Sequence, residues 1–132
     1  MTAADLDRFA ISYTAAWCSQ RAASVASFFA ERGSLTINGG APSVGREAIT
    51  AAAQGFMTAF PDLMVAMDGI EGDTDHAVYR WTLTGTNTGP GGTGRAVHIS
   101  GYERWTLAAD GLIAESQGHF DEADYHRQRG TP

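Results

Sequence analysis

The apolar residues of this chain change period at Pro61, and that change limits the folds open to it. Before it, Leu6, Phe9, Ala10, Tyr13 and Trp17 recur every three or four residues, as on one face of a helix. Beyond it, stretches rich in β-branched and aromatic residues alternate in twos, as strands do. Helices gathered mainly in the first half and strands in the second predict an α+β fold, with helices on one face of a sheet.

Residues 3 to 18 form the first predicted helix, with Thr2 and Asp5 placed for a capping box. A short second helix follows, with Ala22, Val25, Phe28 and Phe29 as its apolar side and Gly33 at its end or in the next turn. "SLTIN", residues 34 to 38, reads as a strand and "GGAPSVG" as turn chemistry. Ile49, Ala53, Phe56, Met57 and Phe60 trace a third helix, limited by Pro61 because proline disfavours the α conformation of the residue before it. Strands are predicted over 63 to 70, 76 to 86, 96 to 108 and 112 to 120, with short turns that favour antiparallel pairing. The longer loop "TNTGPGGTG" reads as mobile, a flexible lid at a pocket rim, and "DEADYHRQRG" as a short closing helix capped by Asp121.

A length of 132 residues suits one domain spanning 1–132. The net charge is -6 and all basic residues are arginine, so no basic patch recommends nucleic acid or an anionic membrane as partner. The lack of lysine excludes Schiff-base chemistry. The single Cys18, the absence of a leader pattern after Met1 and the absence of a long apolar run point to a cytoplasmic protein.

The element order, together with "FFAERGSLTINGG", "GREAI", "YRWTLTGTNTG" and "DGLIAESQGHFD", resembles the SnoaL-like polyketide cyclase group of the nuclear-transport-factor-2-like superfamily. The resemblance runs over nearly the whole chain. It implies a cystatin-like α+β roll: a cone-shaped, curved antiparallel sheet closed by three helices around a largely apolar pocket, and a homodimer through the outer sheet face. Such domains include aldol cyclases, ketosteroid isomerases, epoxide hydrolases and dehydratases, and also proteins without chemistry, so the fold selects no reaction. In the cyclases a last-strand segment resembling "EHWD" carries an aspartate acid/base. Laid against it, Glu115, Ser116, Gln117 and Gly118 take the four positions and Asp121 takes a second aspartate, which leaves Gly118 where the acid belongs. A pocket histidine of the preceding strand falls on Glu103, and an arginine–aspartate pair of the epoxide hydrolases falls on Arg80 and Thr82.

The residues themselves sort these candidates. Glu103 alternates in phase with Val97, Ile99, Gly101, Trp105 and Leu107; on such a face it is either a desolvated carboxyl whose pKa is raised toward that of a working acid or base, or a partner for Arg80 or Arg104 at a sheet surface. Arg80, in phase with Val78 and Thr82, either enters the pocket to hold an oxyanion or to pair with Glu103, or lies exposed on the outer face. His119 shares the face of Ile113, Glu115 and Gln117, opposite Ser116, Gly118 and Phe120, and points away from the pocket if Gly118 points into it. Asp121 is explained by capping. His119, Asp121 and His126 match no tight metal-ligand spacing, so neither a metal nor any other cofactor is expected. Trp17, Phe56, Phe60, Thr82, Trp105, Ser116, Gly118 and Phe120 are the candidate pocket walls; at helical and strand spacing the aromatic ones are more often plain core, and those left uncovered, the tryptophans above all, suit a flat hydrophobic or aromatic ligand.

Two functions follow. One is cofactor-independent acid/base chemistry of aldol cyclase, isomerase or dehydratase type on a hydrophobic carbonyl compound, with Glu103 as base, Arg80 stabilising the oxyanion, and Ser116 or Thr82 orienting the substrate. Asp121 and His119 are lesser catalytic candidates. The other is a non-catalytic ligand-binding or scaffold homodimer of the same fold, which the glycine at position 118 favours.

Overall fold

The computed structural model describes residues 2–130. Helix α1 (Ala3–Cys18) opens on the capping box: the Asp5 amide donates to Thr2 Oγ1 and the Thr2 amide to the Asp5 carboxylate, each at 3.1 Å. Its buried stripe is Leu6, Ala10, Tyr13, Ala16 and Trp17. Helix α2 (Ala22–Ala26) is a single short turn and α3 (Arg46–Ala59) buries Ile49, Ala53 and Met57. Phe60, held before Pro61 at φ -127 and ψ 83, ends α3. Helix α4 (Glu122–Arg129) closes the described chain, with Gly130 in the left-handed conformation as its cap.

Six strands form one sheet in the order β2-β1-β6-β5-β4-β3. They are β1 (Phe29–Ile37), β2 (Ser43–Val44), β3 (Met64–Gly72), β4 (His76–Thr86), β5 (Ala96–Leu107) and β6 (Ile113–Phe120). All neighbours are antiparallel except β1 and β6, which are the first and last long strands and run parallel. Register shifts in β1–β6, β3–β4 and β5–β6 mark the bulges that bend the sheet into an open curve. At Gly101 a Cβ would stand 2.3 Å from the His119 carbonyl and 2.6 Å from the Trp81 ring, so only glycine lets β5 fold this closely over that indole. The helices pack their apolar stripes into the concave side, forming one core.

Three expectations need correction. The second helix does not reach Phe29, which already belongs to β1. Gly33 lies inside that strand, where a Cβ would meet the Ile113 carbonyl at 2.8 Å. The bulge between Thr106 and Leu107 also turns Ile113 inward to full burial, away from the outer face of Glu115. The glycine-rich loop is pinned. Buried Asn87 donates to the Ala59 carbonyl at 3.0 Å and accepts from the Thr93 amide at 3.0 Å, and its carbonyl takes the Gly94 amide at 2.8 Å. Cβ atoms at Gly89 and Gly92 would collide with backbone oxygens at 2.0 and 2.2 Å, so these glycines serve close packing.

Two polar contacts tie elements together. Cys18 Sγ both donates to the Val65 carbonyl and accepts its amide, each at 3.3 Å, joining α1 to β3. The Gln128 carboxamide accepts from the His98 amide at 2.6 Å and donates to the His98 carbonyl at 3.0 Å. That contact lies on the stretch of β5 before Gly101, where the pairing with β6 has ended.

Candidate functional site

Glu103 stands on β5 directly between Tyr79 of β4 and Gly118 of β6. Cross-strand partners share a face, so all three turn to the concave side, as the burial of β5 also shows: Val97, Ile99, Glu103, Trp105 and Leu107 are buried in alternation. Glu103 Oε1 accepts from Ser116 Oγ at 2.7 Å, Tyr13 Oη at 3.0 Å and Trp105 Nε1 at 3.1 Å. Oε2 receives only Tyr13, at 3.3 Å. The glycine opposite keeps this side open, since a Cβ at 118 would lie 3.7 Å from Glu103 Cγ.

Behind the carboxyl the Tyr79 and Trp105 rings stack at 5.1 Å and 11°, and Tyr13 meets both edge-on. Tyr79 shares a 2.5 Å hydrogen bond with Thr14. Burial pushes the Glu103 carboxyl above the ordinary carboxylate range, against the pull of its three donors. Burial, followed by the nearby Glu103 charge, holds the Tyr13 phenol well above its usual value, and burial raises Tyr79 as well. Both phenols therefore stay neutral near pH 7.

Glu103 lines a cavity whose other walls are Trp17, Leu35, Ile37, Phe56, Val65, Tyr79, Trp81, Leu83, Ile99, Gly118 and Phe120. Its volume is about 60 Å³. A larger groove of about 340 Å³ between α3 and α4 shares Ile37, Phe56 and Phe120 with it and is bordered by Glu122, His126 and Arg129. The inner cavity suits a compact, largely apolar group.

Of the residues singled out in the sequence, Glu103, Trp17, Phe56, Gly118 and Phe120 meet at this cavity. Arg80 does not. It pairs with Tyr102, one position out of step with Glu103, and is exposed on the convex face, so it neither pairs with Glu103 nor reaches an oxyanion. Thr82 lies on that face too, donating to Asp68 Oδ2 at 2.5 Å and bonded to Ser100 at 2.7 Å. Phe60, Trp105 and Ser116 are buried behind the wall; Phe60 packs on Gly85 and Tyr125, while the other two hold Glu103. His119 turns outward against Tyr102, and Asp121 caps α4 through the Asp124 amide at 3.0 Å. Among the described residues no cluster of His, Cys, Asp or Glu forms a metal site, and no helix is long and apolar enough to cross a membrane.

Tyr13, Tyr79 and Trp81 were missed. The alternation of "VYRWTL" separates Tyr79 and Trp81 from Arg80 without saying which face is concave, and Tyr13 carries no mark beyond its place in the α1 stripe.

Residues 10–116 match the family model of the SnoaL-like domain. No curated protein matches the chain. Among solved structures, TsrD from Streptomyces laurentii superposes with a TM-score of 0.85 at 23% identity, over 100% of this chain and 99% of its own. A protein of ketosteroid isomerase-like fold from Catenulispora acidiphila DSM 44928, in complex with trimethylamine, gives 0.82 at 18%, over 94% and 93%. SalBIII, an epoxide hydrolase/cyclase-like enzyme with a role in pyran ring formation in the polyether salinomycin, gives 0.77 at 15%, over 92% and 94%. At these identities the likeness is one of fold.

Proposed function

We propose, since the chain belongs to the SnoaL-like domain family, that it binds a small, largely apolar carbonyl compound and exchanges a proton with it through Glu103, without a cofactor. The observation that carries this reading is a buried carboxyl lining an otherwise apolar cavity, with Oε1 saturated and Oε2 left with acceptor capacity. Such a group removes a proton next to a carbonyl in an isomerisation, dehydration or aldol closure. Tyr13, Ser116 and Trp105 act as positioning residues that fix the carboxyl and stabilise its ionised form. The trimethylamine complex of the Catenulispora protein supports the view that a protein of this fold takes a compact organic molecule. The reading includes a cytoplasmic protein that pairs as a homodimer through the convex face of the sheet.

The test is hydrogen exchange at the α-carbon of small β-keto esters in D2O, followed by NMR. Wild type accelerates the exchange, and Glu103→Gln loses about 100-fold or more of it. Exchange at the wild-type rate in the variant removes Glu103 as the base. A second reading, a binding protein without turnover, is favoured by Gly118 and by the outward Arg80, which leave the cavity without a second acid or an oxyanion cation. Binding of the esters with no accelerated exchange decides for it.

A further inference from the structure

The cavity holds a carboxyl without a cationic partner. Among the described residues Glu103 is the only acidic or basic side chain lining it, its donors are all neutral, and none of the three ion pairs found there includes it. A carboxylate buried among apolar side chains is costly unless it keeps a proton or gains a cation. A metal ion is a poor answer, because hard cations ask for several oxygen ligands and only one carboxyl lines the cavity.

The walls favour a different cation. Trp17, Phe56, Tyr79, Trp81 and Phe120 surround the space, and the pairs Trp17–Phe56 and Trp81–Phe120 meet at 73° and 68°, so the rings stand as separate walls rather than one stack. Aromatic faces attract cations, tryptophan most strongly, and the attraction grows where water is excluded. Aliphatic walls alone would accept any small hydrocarbon; rings together with one carboxylate discriminate by charge.

We propose that the cavity selects a small protonated alkylamine, its N–H donated to Glu103 Oε2 and its alkyl groups held against the Trp17, Trp81 and Phe120 rings. A cavity of about 60 Å³ suits a compact branched body. The inference rests on the reading of the cavity as the ligand site and is independent of turnover. An amine that enters neutral takes the proton from Glu103: the O–H bond breaks, the N–H bond forms, and cation and carboxylate arise together as a pair.

The experiment compares tert-butylammonium with tert-butanol, which match in shape and heavy-atom count and differ in charge. Binding is read by tryptophan fluorescence and calorimetry at about pH 8, above the ordinary carboxylate range. The ammonium ion binds roughly tenfold or more tightly than the alcohol. Glu103→Gln cuts that preference several-fold, and Trp81→Leu, which leaves the carboxyl in place, weakens the ion several-fold more than the alcohol. Equal binding of both ligands to wild type, or a preference that survives both substitutions, overturns the proposal while leaving the cavity as a ligand site. If neither ligand binds, the cavity reading falls with it.

Discussion

Oε1 of Glu103 is fully engaged and Oε2 is not, and that asymmetry inside a single side chain sets both its energetics and its use. Because burial raises the carboxyl above its ordinary 4.5, the folded protein binds a proton that the unfolded chain has already released over the interval between the two values. The stability this contributes is complete below the ordinary carboxylate range and is lost as pH rises through the folded value. The free energy of urea unfolding of wild type, taken relative to Glu103→Gln, is therefore expected to fall as pH is raised from about 4.5. A difference that stays flat rejects the raised carboxyl. Tyr13 from α1 and Tyr79 from β4, the other titratable groups against it, are both held above the range scanned, so the slope belongs to Glu103. Gly118 completes the picture at this scale. A Cβ there would make only ordinary contacts, at 3.5 Å and 3.7 Å, so the glycine is not forced by crowding. It leaves free the space beside a carboxyl delivered from the neighbouring strand.

At the scale of elements, the closing helix tests which acidic residues belong to the site. Asp121 accepts the Asp124 amide at the start of α4, whose Tyr125 packs between Phe60 and Phe120. Asp121→Ala is expected to lower stability by about 1 kcal/mol, the usual cost of losing such a cap, and to leave binding in the Glu103 cavity unchanged. Urea unfolding and fluorescence titration of the same variant check both halves. Intact stability with lost binding would return Asp121 to the site. The elements were largely legible in sequence because their signals are local: the Thr2–Asp5 box, the α1 stripe and the alternating strands from Met64 onward all rest on neighbours in the chain. The start of β1 was not, since Phe28 and Phe29 continue the helical apolar spacing and the bulge that absorbs Gly33 is set by β6, far away in sequence. The pair Ser43–Val44 is too short to show a period at all.

For the whole molecule, the helices cover only the concave side of the sheet. The convex side presents Arg80, Thr82, Ser100, Arg104, Glu115 and His119, and this is the surface proposed to pair two copies. Sedimentation at micromolar concentration is expected to give twice the chain mass of 14.0 kDa. Arg104→Glu, which adds a second negative charge near Glu115, is expected to shift the species toward the single chain; a wild type that sediments as one chain ends the proposal. Sequence could place Glu103 inside because its strand neighbours agree in phase. Arg80 could not be placed that way, since both faces of "VYRWTL" carry apolar residues and only the curvature of the assembled sheet decides which is concave. The separation of cavity wall from core among Trp17, Phe60 and Trp105 likewise depends on packing between distant elements. One last property of the assembled chain lies in the contact of Gln128 with both backbone groups of His98. An exposed strand border is a template on which foreign strands polymerise. Here a single carboxamide imitates the missing neighbour and terminates the ladder, so at this border the molecule carries its own safeguard against fibrous growth.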